Sequence, residues 1–139
     1  FAMSVLGIGK VCVFSAVKLR LLHDGKPVAN TKVKREWEWN TPNFDESVTD
    51  DDGYVFFPAV FESSLTRLLP IELVITQGLS VKIDGEEEYF WTSGKRQPEE
   101  NTEYGGAKFD VICELNNEII GIRDYRSPIV TLCKLKKGE

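Results

Sequence analysis

The sequence has little of the residues that carry most enzyme chemistry. It contains one histidine, His23, one methionine and three cysteines among 139 residues. It has no Cys-x-x-Cys pair and no cysteine–histidine spacing typical of zinc sites. Apart from His23, no histidine is available to form a catalytic triad with a serine or a cysteine. No apolar run approaches the roughly 20 residues of a transmembrane helix. The sequence therefore predicts a protein with no catalytic site, no metal or cofactor and no membrane span.

A targeting segment is also missing from the sequence. The first apolar run, Val11 to Val17, is short, and charged Lys18 follows it without a small-residue cleavage pattern. Phe1 and Ala2, which precede Met3, are interpreted as a cloning remnant. The length suits one hydrophobic core, and we predict a single cytoplasmic domain over residues 4–137.

The three cysteines lie in apolar runs. Cys12, Cys113 and Cys133 each have branched aliphatic neighbours, which is typical of buried free thiols in a reducing compartment. We therefore predict reduced, unreactive cysteines. A bridge between Cys113 and Cys133 would leave Cys12 unpaired, so the sequence leaves open whether that pair is ever oxidised.

Charge is unevenly distributed along the chain. The net charge is −5, and residues 40–103 carry fourteen acidic and four basic side chains, whereas residues 1–39 carry three acidic and seven basic ones. An acidic segment is a poor surface for nucleic acid, because phosphate contacts need clustered Lys and Arg. It favours a protein partner with a basic surface.

Alternation of apolar and polar residues dominates the sequence and predicts β-strands. Over residues 31–39, Trp37 and Trp39 alternate with charged residues, which puts both rings on one strand face. Asp-Gly at 84–85 predicts a hairpin turn, and a helical period over 61–69 allows one short helix. About eight short strands and dense turn signals indicate an all-β, antiparallel β-sandwich.

Apolar runs and the polar segments between them predict the bounds of further strands and loops. Single strands are predicted over Val11 to Leu22 and Ile129 to Leu135. Loops are predicted over Asn40 to Phe44, which contains a proline, and over the polar, glycine-rich stretch Ser93 to Gly106.

Two motifs resemble a known superfamily. One is the run Gly25 to Ala29 (Gly-Lys-Pro-Val-Ala), and the other is the run Thr49 to Phe57 (Thr-Asp-Asp-Asp-Gly-Tyr-Val-Phe-Phe). Together they resemble the carboxypeptidase regulatory-like, or transthyretin-like (prealbumin-like), β-sandwich superfamily over residues 11–58. The resemblance implies a transthyretin-like sandwich but no single function, because such modules serve as accessory, adhesive and ligand-binding domains.

Two further resemblances concern bacterial proteins. The opening Gly9 to Ser15 (Gly-Lys-Val-Cys-Val-Phe-Ser) is similar to that of small bacterial proteins of this fold that have no assigned activity. In size, charge and lack of a leader, the chain also resembles compact acidic immunity proteins that block secreted toxins. The first resemblance implies a bacterial protein of this fold without an assigned activity, and the second implies a protein-binding role.

The acidic runs are interpreted as surface turns. The run Asp50 to Asp52 has consecutive carboxylates followed at once by Gly53, which does not fit the alternating ligands of a calcium loop. The run Glu86 to Glu88 and the pair Glu99–Glu100 resemble hydrolase acids only in composition, and nothing places them in an apolar pocket.

We predict that acidic turns and a neighbouring aromatic segment form the partner-binding site. Its predicted members are Asp50, Asp51, Asp52, Glu86, Glu87, Glu88, Tyr89, Trp91, Glu99 and Glu100. The first hypothesis is an immunity protein that neutralises a secreted toxin. The second is a structural or adaptor module of a secretion or cell-envelope assembly that offers a sheet edge, and the third is a carboxylate-based hydrolase. The partner's identity and the oligomeric state stay open.

Overall fold

The structure, a computed structural model, describes residues 10–63 and 73–136. These residues form strands, turns and loops, with no helix among them, and hence none long and apolar enough to cross a membrane. The all-β sandwich predicted from the alternation is confirmed. The predicted number of about eight strands is too low, because the described residues form thirteen.

The strands belong to three sheets. In chain order they are β1 (Lys10–Phe14), β2 (Val17–His23), β3 (Lys26–Pro27), β4 (Lys32–Glu38), β5 (Pro42–Val48), β6 (Tyr54–Phe57), β7 (Val60–Ser63), β8 (Ile75–Ile83), β9 (Glu86–Lys95), β10 (Phe109–Glu114), β11 (Ile120–Ile122), β12 (Ile129–Thr131) and β13 (Cys133–Leu135). A six-stranded sheet has the order β11-β12-β9-β8-β4-β5. A five-stranded sheet has the order β13-β10-β2-β3, with β6 also paired to β2, and β1 pairs with β7.

Two predicted strands are each divided between sheets, which accounts for part of the higher count. The run Val11 to Leu22 breaks at Ser15 and Ala16, so that β1 pairs with β7 while β2 joins the five-stranded sheet. The run Ile129 to Leu135 breaks at Leu132, and β12 and β13 lie in different sheets. Apolar periodicity continues through both breaks, and therefore did not reveal them.

One strand pair departs from the antiparallel prediction. β2 and β10 run parallel, from Val17 opposite Phe109 to Leu22 opposite Glu114. A parallel pair cannot be joined by a tight turn, and these two strands are far apart in the chain. Turn signals, which predicted the antiparallel arrangement, give no information about such a distant pairing.

The core lies between the two large sheets and is rich in aromatic rings. Trp91 and Phe109 have ring centroids 4.7 Å apart, and Phe14 lies 5.8 Å from Trp91. Arg35 is fully buried, with its guanidinium 4.8 Å from the Phe57 ring. Its Nη2 lies 2.6 Å from an Asp45 carboxylate oxygen, and its Nε donates to the other oxygen at 3.0 Å. This bidentate pair is what allows a charged side chain to be buried here.

Both predicted turns are confirmed. Asp50 Oδ1 accepts hydrogen bonds from the N–H groups of Asp52 and Tyr54, each at 2.9 Å, and Gly53 has φ +85°. Asp84 and Gly85 have φ of 53° and 83° between β8 and β9, as a two-residue hairpin with positive φ at both positions requires.

Predicted loops and the predicted helix need correction. β5 begins at Pro42, inside the predicted loop Asn40 to Phe44, because an edge strand tolerates a residue without an N–H. β9 continues to Lys95 and so includes the first three residues of the loop predicted from Ser93. In the predicted helix 61–69, residues up to Ser63 lie in β7, paired with β1. The rest of that helix falls outside the described residues.

The prediction of three free thiols is wrong for two of them. Cys113 and Cys133 lie opposite each other on β10 and β13, with Cα atoms 4.1 Å apart, and form a disulfide. Cys12 is free and buried, as predicted. The disulfide depends on the register of β10 with β13, which are neighbours in one sheet although β11 and β12, between them in the chain, belong to the six-stranded sheet. Apolar periodicity does not specify such a register.

Candidate binding groove on the six-stranded sheet

An open groove of about 550 Å³ lies on the outer face of the six-stranded sheet, away from the core. Its floor is formed by β8 and β9, and β4, β5 and β12 contribute its sides. The outward residues of the floor have small side chains or none, and they are Thr76, Gly78, Thr92 and Gly94. The sides include Pro42 and Val130, so the surface offered to a ligand is largely apolar.

Gly78 leaves space for the ring of Tyr89, which lines the groove. A Cβ at position 78 would lie 3.1 Å from Cε2 of Tyr89, so any other residue there would displace the ring. The Tyr89 ring covers the glycine and forms one wall of the groove. Tyr89 is 43% exposed, which leaves much of it free to contact a ligand.

A β-bulge in β9 sets which aromatic residues face outward. Leu79 is opposite Trp91 while Ser80 is opposite Tyr89, so Phe90 is an extra residue on β9. Strict alternation would put Tyr89 and Trp91 on one face. Instead, Tyr89 faces outward, whereas Phe90 is 2% and Trp91 0% exposed. The prediction that Trp91 binds a partner is therefore wrong, because its side chain belongs to the core.

The groove carries negative charge. Glu36 and Glu38 line it, and no lysine or arginine is among the lining residues that the structure describes. The Tyr89 hydroxyl donates a hydrogen bond of 2.5 Å to Glu36, whose carboxylate lies 3.8 Å from Nζ of Lys34. This hydrogen bond raises the pKa of Tyr89 well above its usual range, since a phenolate would lie beside carboxylates. Exposed Glu38 forms no salt bridge with any described residue.

The hydroxyl groups around the groove are hydrogen-bonded to the main chain. Ser93 donates to the Pro128 carbonyl at 2.8 Å, and Thr92 donates to the Val130 carbonyl at 3.4 Å. Within the described ranges, no group of three or more histidine, cysteine or carboxylate side chains is placed to hold a metal ion. The groove thus offers an apolar floor, an aromatic wall and carboxylates, which are the elements of a binding surface.

The structure brings together two of the three predicted acidic segments. The register of β4 with β5 and β8 puts Asp50–Asp52 and Glu86–Glu88 at the same end of the six-stranded sheet. Glu99 and Glu100 follow the last residue of β9, Lys95, which is opposite the first residue of β8. They therefore lie at the other end, and the three segments do not form one acidic surface.

Several of the predicted acids have structural partners. Asp51 accepts a hydrogen bond of 3.2 Å from Asn30, and the Asp52 carbonyl accepts one of 2.9 Å from Arg20. Glu87 lies 3.4 Å from Nζ of Lys34. These contacts hold turns and strands in place, so the acids contribute charge from fixed positions.

A buried polar cluster escaped the sequence analysis. Glu103 is fully buried and accepts hydrogen bonds from the Ser15 hydroxyl at 2.5 Å, the Ser15 N–H at 3.0 Å and Gln77 Nε2 at 3.0 Å. Buried Lys95 donates to the Glu99 carbonyl at 2.7 Å, and burial lowers its pKa. These bonds fasten the loop after β9 to the sandwich. Glu103 lies in a polar stretch close to other acidic residues, so nothing in the sequence indicates that it is buried.

Comparison with known proteins identifies a family for most of this fold. No curated protein and no solved structure gives a significant match. Residues 17–118 match the model of a family described as a domain of unknown function, DUF6795, and the match runs from the start of β2 to beyond the end of β10. Because it covers more than half of the chain, the protein belongs to the DUF6795 family.

Proposed function

We propose that this protein is a non-enzymatic protein-binding domain whose groove takes an extended, basic segment of its partner. The observation that carries the proposal is an apolar groove lined by Glu36 and Glu38, with no basic residue among its described lining residues. A lysine or arginine of the partner would lay its aliphatic stem on the apolar floor and its charge beside the carboxylates.

Tyr89 is the expected anchor of this interaction. Its ring stands beside the floor at Gly78, and the hydrogen bond to Glu36 fixes its orientation. Exposed tyrosines in such positions contribute strongly to protein interfaces, because they offer a large contact area at a low entropic cost. An arginine against the ring would gain a cation–π contact as well.

The specific form of this function suggested by the sequence is an immunity protein that neutralises a secreted toxin. A basic toxin surface would suit the groove, and the acidic turns at one end of the same sheet would steer it. A transthyretin-like topology and a cytoplasmic location belong to the same proposal. The Cys113–Cys133 disulfide favours an oxidising compartment instead, so the redox state of this pair in cells tests the location.

An adaptor module is a second candidate, and the edge of the six-stranded sheet favours it. β5 ends the sheet, and each of its seven residues is exposed or half-buried. A strand in this position can pair with an extended segment of another protein through main-chain hydrogen bonds.

Affinity capture from the source cells tests the groove. Wild-type protein and the Glu38→Arg variant serve as parallel baits, and Lys32→Gln, on the same outer face but outside the groove lining, is the matched control. We expect a basic protein that is retained by the wild type and the control and is lost with Glu38→Arg. Identical captured proteins for all three baits would reject the groove as the binding site, and exchange of side chains on β5 would then test the edge.

A further inference from the structure

The outer face of the five-stranded sheet has a chemistry opposite to that of the groove. Its outward residues are mostly basic, aromatic or aliphatic, and we call them the basic–aromatic face: Lys18, Arg20, Tyr54, Phe56, Ile112 and Lys134. The register places Lys18 opposite Phe56, and Arg20 between Tyr54 and Ile112. Cations and apolar side chains therefore alternate across four neighbouring strands.

The apolar members of this face are open to solvent. Phe56 is 60% and Ile112 is 37% exposed. Phe56 follows the conformationally fixed Asp50–Gly53 turn and points away from Phe57, which is buried in the core. Phe56 lies on β6, which pairs with β2 alone among the described strands, so its ring costs solubility and gains little packing. Exposed apolar residues grouped on one face often mark a binding surface.

The two lysines of the basic–aromatic face are available to a partner, whereas Arg20 already donates a hydrogen bond of 2.9 Å to the Asp52 carbonyl. Nζ of Lys18 lies 5.7 Å and the guanidinium carbon of Arg20 lies 5.2 Å from the centre of the Tyr54 ring. The exposed side chains of Lys18 and Lys134 form no salt bridge with the described residues. Two acidic residues share this face without forming a salt bridge with any described residue: Asp110, opposite Lys18 on β10, and Glu114, opposite Leu22.

We infer that the basic–aromatic face is a second docking surface, which binds an acidic segment of a partner protein that also carries apolar side chains. Its cations complement carboxylates, while Phe56 and Ile112 complement apolar residues between them. Because the groove lies on the other sheet, the two surfaces do not compete. One molecule would then link a basic partner to an acidic one, which goes beyond binding at the groove.

A protein segment fits this face better than nucleic acid does. The chain carries a net charge of −5, and this overall charge repels a polyanion at a distance, whereas a short acidic segment feels mainly the local cations. The apolar residues also need an apolar counterpart, which a peptide side chain provides.

Fluorescence anisotropy with synthetic probes tests this inference on the whole chain. The probes are a labelled peptide of repeated Glu-Leu-Asp-Phe units, the same peptide with Lys in place of its acids, and oligothymidylate. We expect the acidic peptide to bind with an affinity that falls as salt rises. Phe56→Ser should weaken binding at least about fivefold, and Lys18→Gln with Lys134→Gln at least about threefold with a smaller salt dependence.

Matched changes on the other sheet serve as controls. Ile120→Ser removes an exposed apolar side chain that is 51% accessible, and Lys32→Gln removes an exposed cation. Both should leave the affinity for the acidic peptide unchanged. An undetectable affinity for that peptide, equal binding by Phe56→Ser, or preferential binding of oligothymidylate would each overturn the inference. Unfolding curves that match the wild type confirm that Phe56→Ser, a change at an exposed position, leaves the fold intact.

Discussion

Gly53 sets the backbone conformation of the turn that leads into β6. Gly53 has φ +85°, and a Cβ there would lie 2.5 Å from the Leu21 carbonyl oxygen. Gly53→Ala should therefore lower the free energy of unfolding by at least about 2 kcal/mol, because positive φ costs an L-residue about 1–2 kcal/mol before any overlap is counted. Urea unfolding of the variant measures the loss.

Gly85→Ala is the matched control for this prediction. Gly85 has a similar φ of +83°, and nothing lies within 4 Å of its Cβ position. The substitution should cost only the conformational part, about 1 kcal/mol. Equal losses at the two positions would show that the Leu21 carbonyl moves away easily and that the overlap contributes nothing.

Glu114 is a residue whose charge supports a turn. Its carboxylate accepts hydrogen bonds from the N–H groups of Gly25 at 2.7 Å, Asp24 at 2.9 Å and Asn116 at 3.1 Å. The hydrogen bond from Gly25 is the main cause of its lowered pKa. A folded-state pKa below the unfolded value means that the stabilisation is present above about pH 4.5 and is lost as the pH falls through the folded pKa.

Glu114→Gln should therefore destabilise the protein at neutral pH and reduce the dependence of its stability on acid below about pH 4.5. Urea unfolding at a series of pH values measures both effects. Asp110→Asn, on the same strand, removes a carboxylate without these hydrogen bonds and serves as the control. An acid dependence that is the same in Glu114→Gln as in the wild type would contradict the role of Glu114.

At the scale of elements, the crossing from β12 to β13 ties the two large sheets together. The chain leaves the six-stranded sheet at Thr131 and enters the five-stranded sheet at Cys133, whose N–H donates to the Thr131 hydroxyl at 2.8 Å. The disulfide to Cys113 fastens β13 immediately after the crossing. β12 also supplies Val130 to the groove, so the crossing positions one side of the binding surface.

Reduction of the disulfide should loosen this region. The bridged cysteines are 20 residues apart, and closing a loop of this length stabilises a protein by about 3 kcal/mol. We expect dithiothreitol to lower the melting temperature of the wild type and to leave that of a Cys113→Ala, Cys133→Ala double variant unchanged. Cys12, which is buried and whose pKa is raised by burial, should react slowly in both proteins. Equal melting temperatures of the wild type with and without reductant would contradict the prediction.

Local signals predicted those elements that local interactions determine. The Asp50–Gly53 turn and the hairpin at 84–85 follow the sequence because turn residues specify them. The bulge at Phe90, the parallel pairing of β2 with β10 and the register of Cys113 with Cys133 depend on contacts between distant segments. Neither residue propensity nor apolar periodicity specifies which distant segments pair or in which register. The wrong predictions for Trp91 and for Cys113 and Cys133 have this cause.

At the scale of the whole molecule, the acidic segments are arranged differently from the prediction. One sequence interval, residues 40–103, carries most of the excess negative charge, but the acidic runs within it are divided between the two ends of the six-stranded sheet, and Glu103 belongs to the buried cluster. Glu86–Glu88 lie beyond the groove, near its end, whereas Glu38 lines it. The charge of Glu86–Glu88, at the start of β9, would act on a partner as it approaches, whereas Glu38 would contact the bound partner.

Association and dissociation should therefore respond to different residues. Glu86→Gln with Glu88→Gln should slow association of the basic partner at low salt with little effect on dissociation, because charges at the edge of an interface act mainly on encounter. Glu38→Gln should mainly speed dissociation, because its charge is buried on binding. Glu87 is left unchanged in this comparison, since its contacts with Lys34 and Ser80 support the sheet. Stopped-flow kinetics with the captured partner at low and high salt separates the two rates. An unchanged association rate in the double variant, with an unchanged melting temperature, would remove Glu86 and Glu88 from the mechanism and leave Glu36 and Glu38 of the groove as the acids proposed to contact the partner.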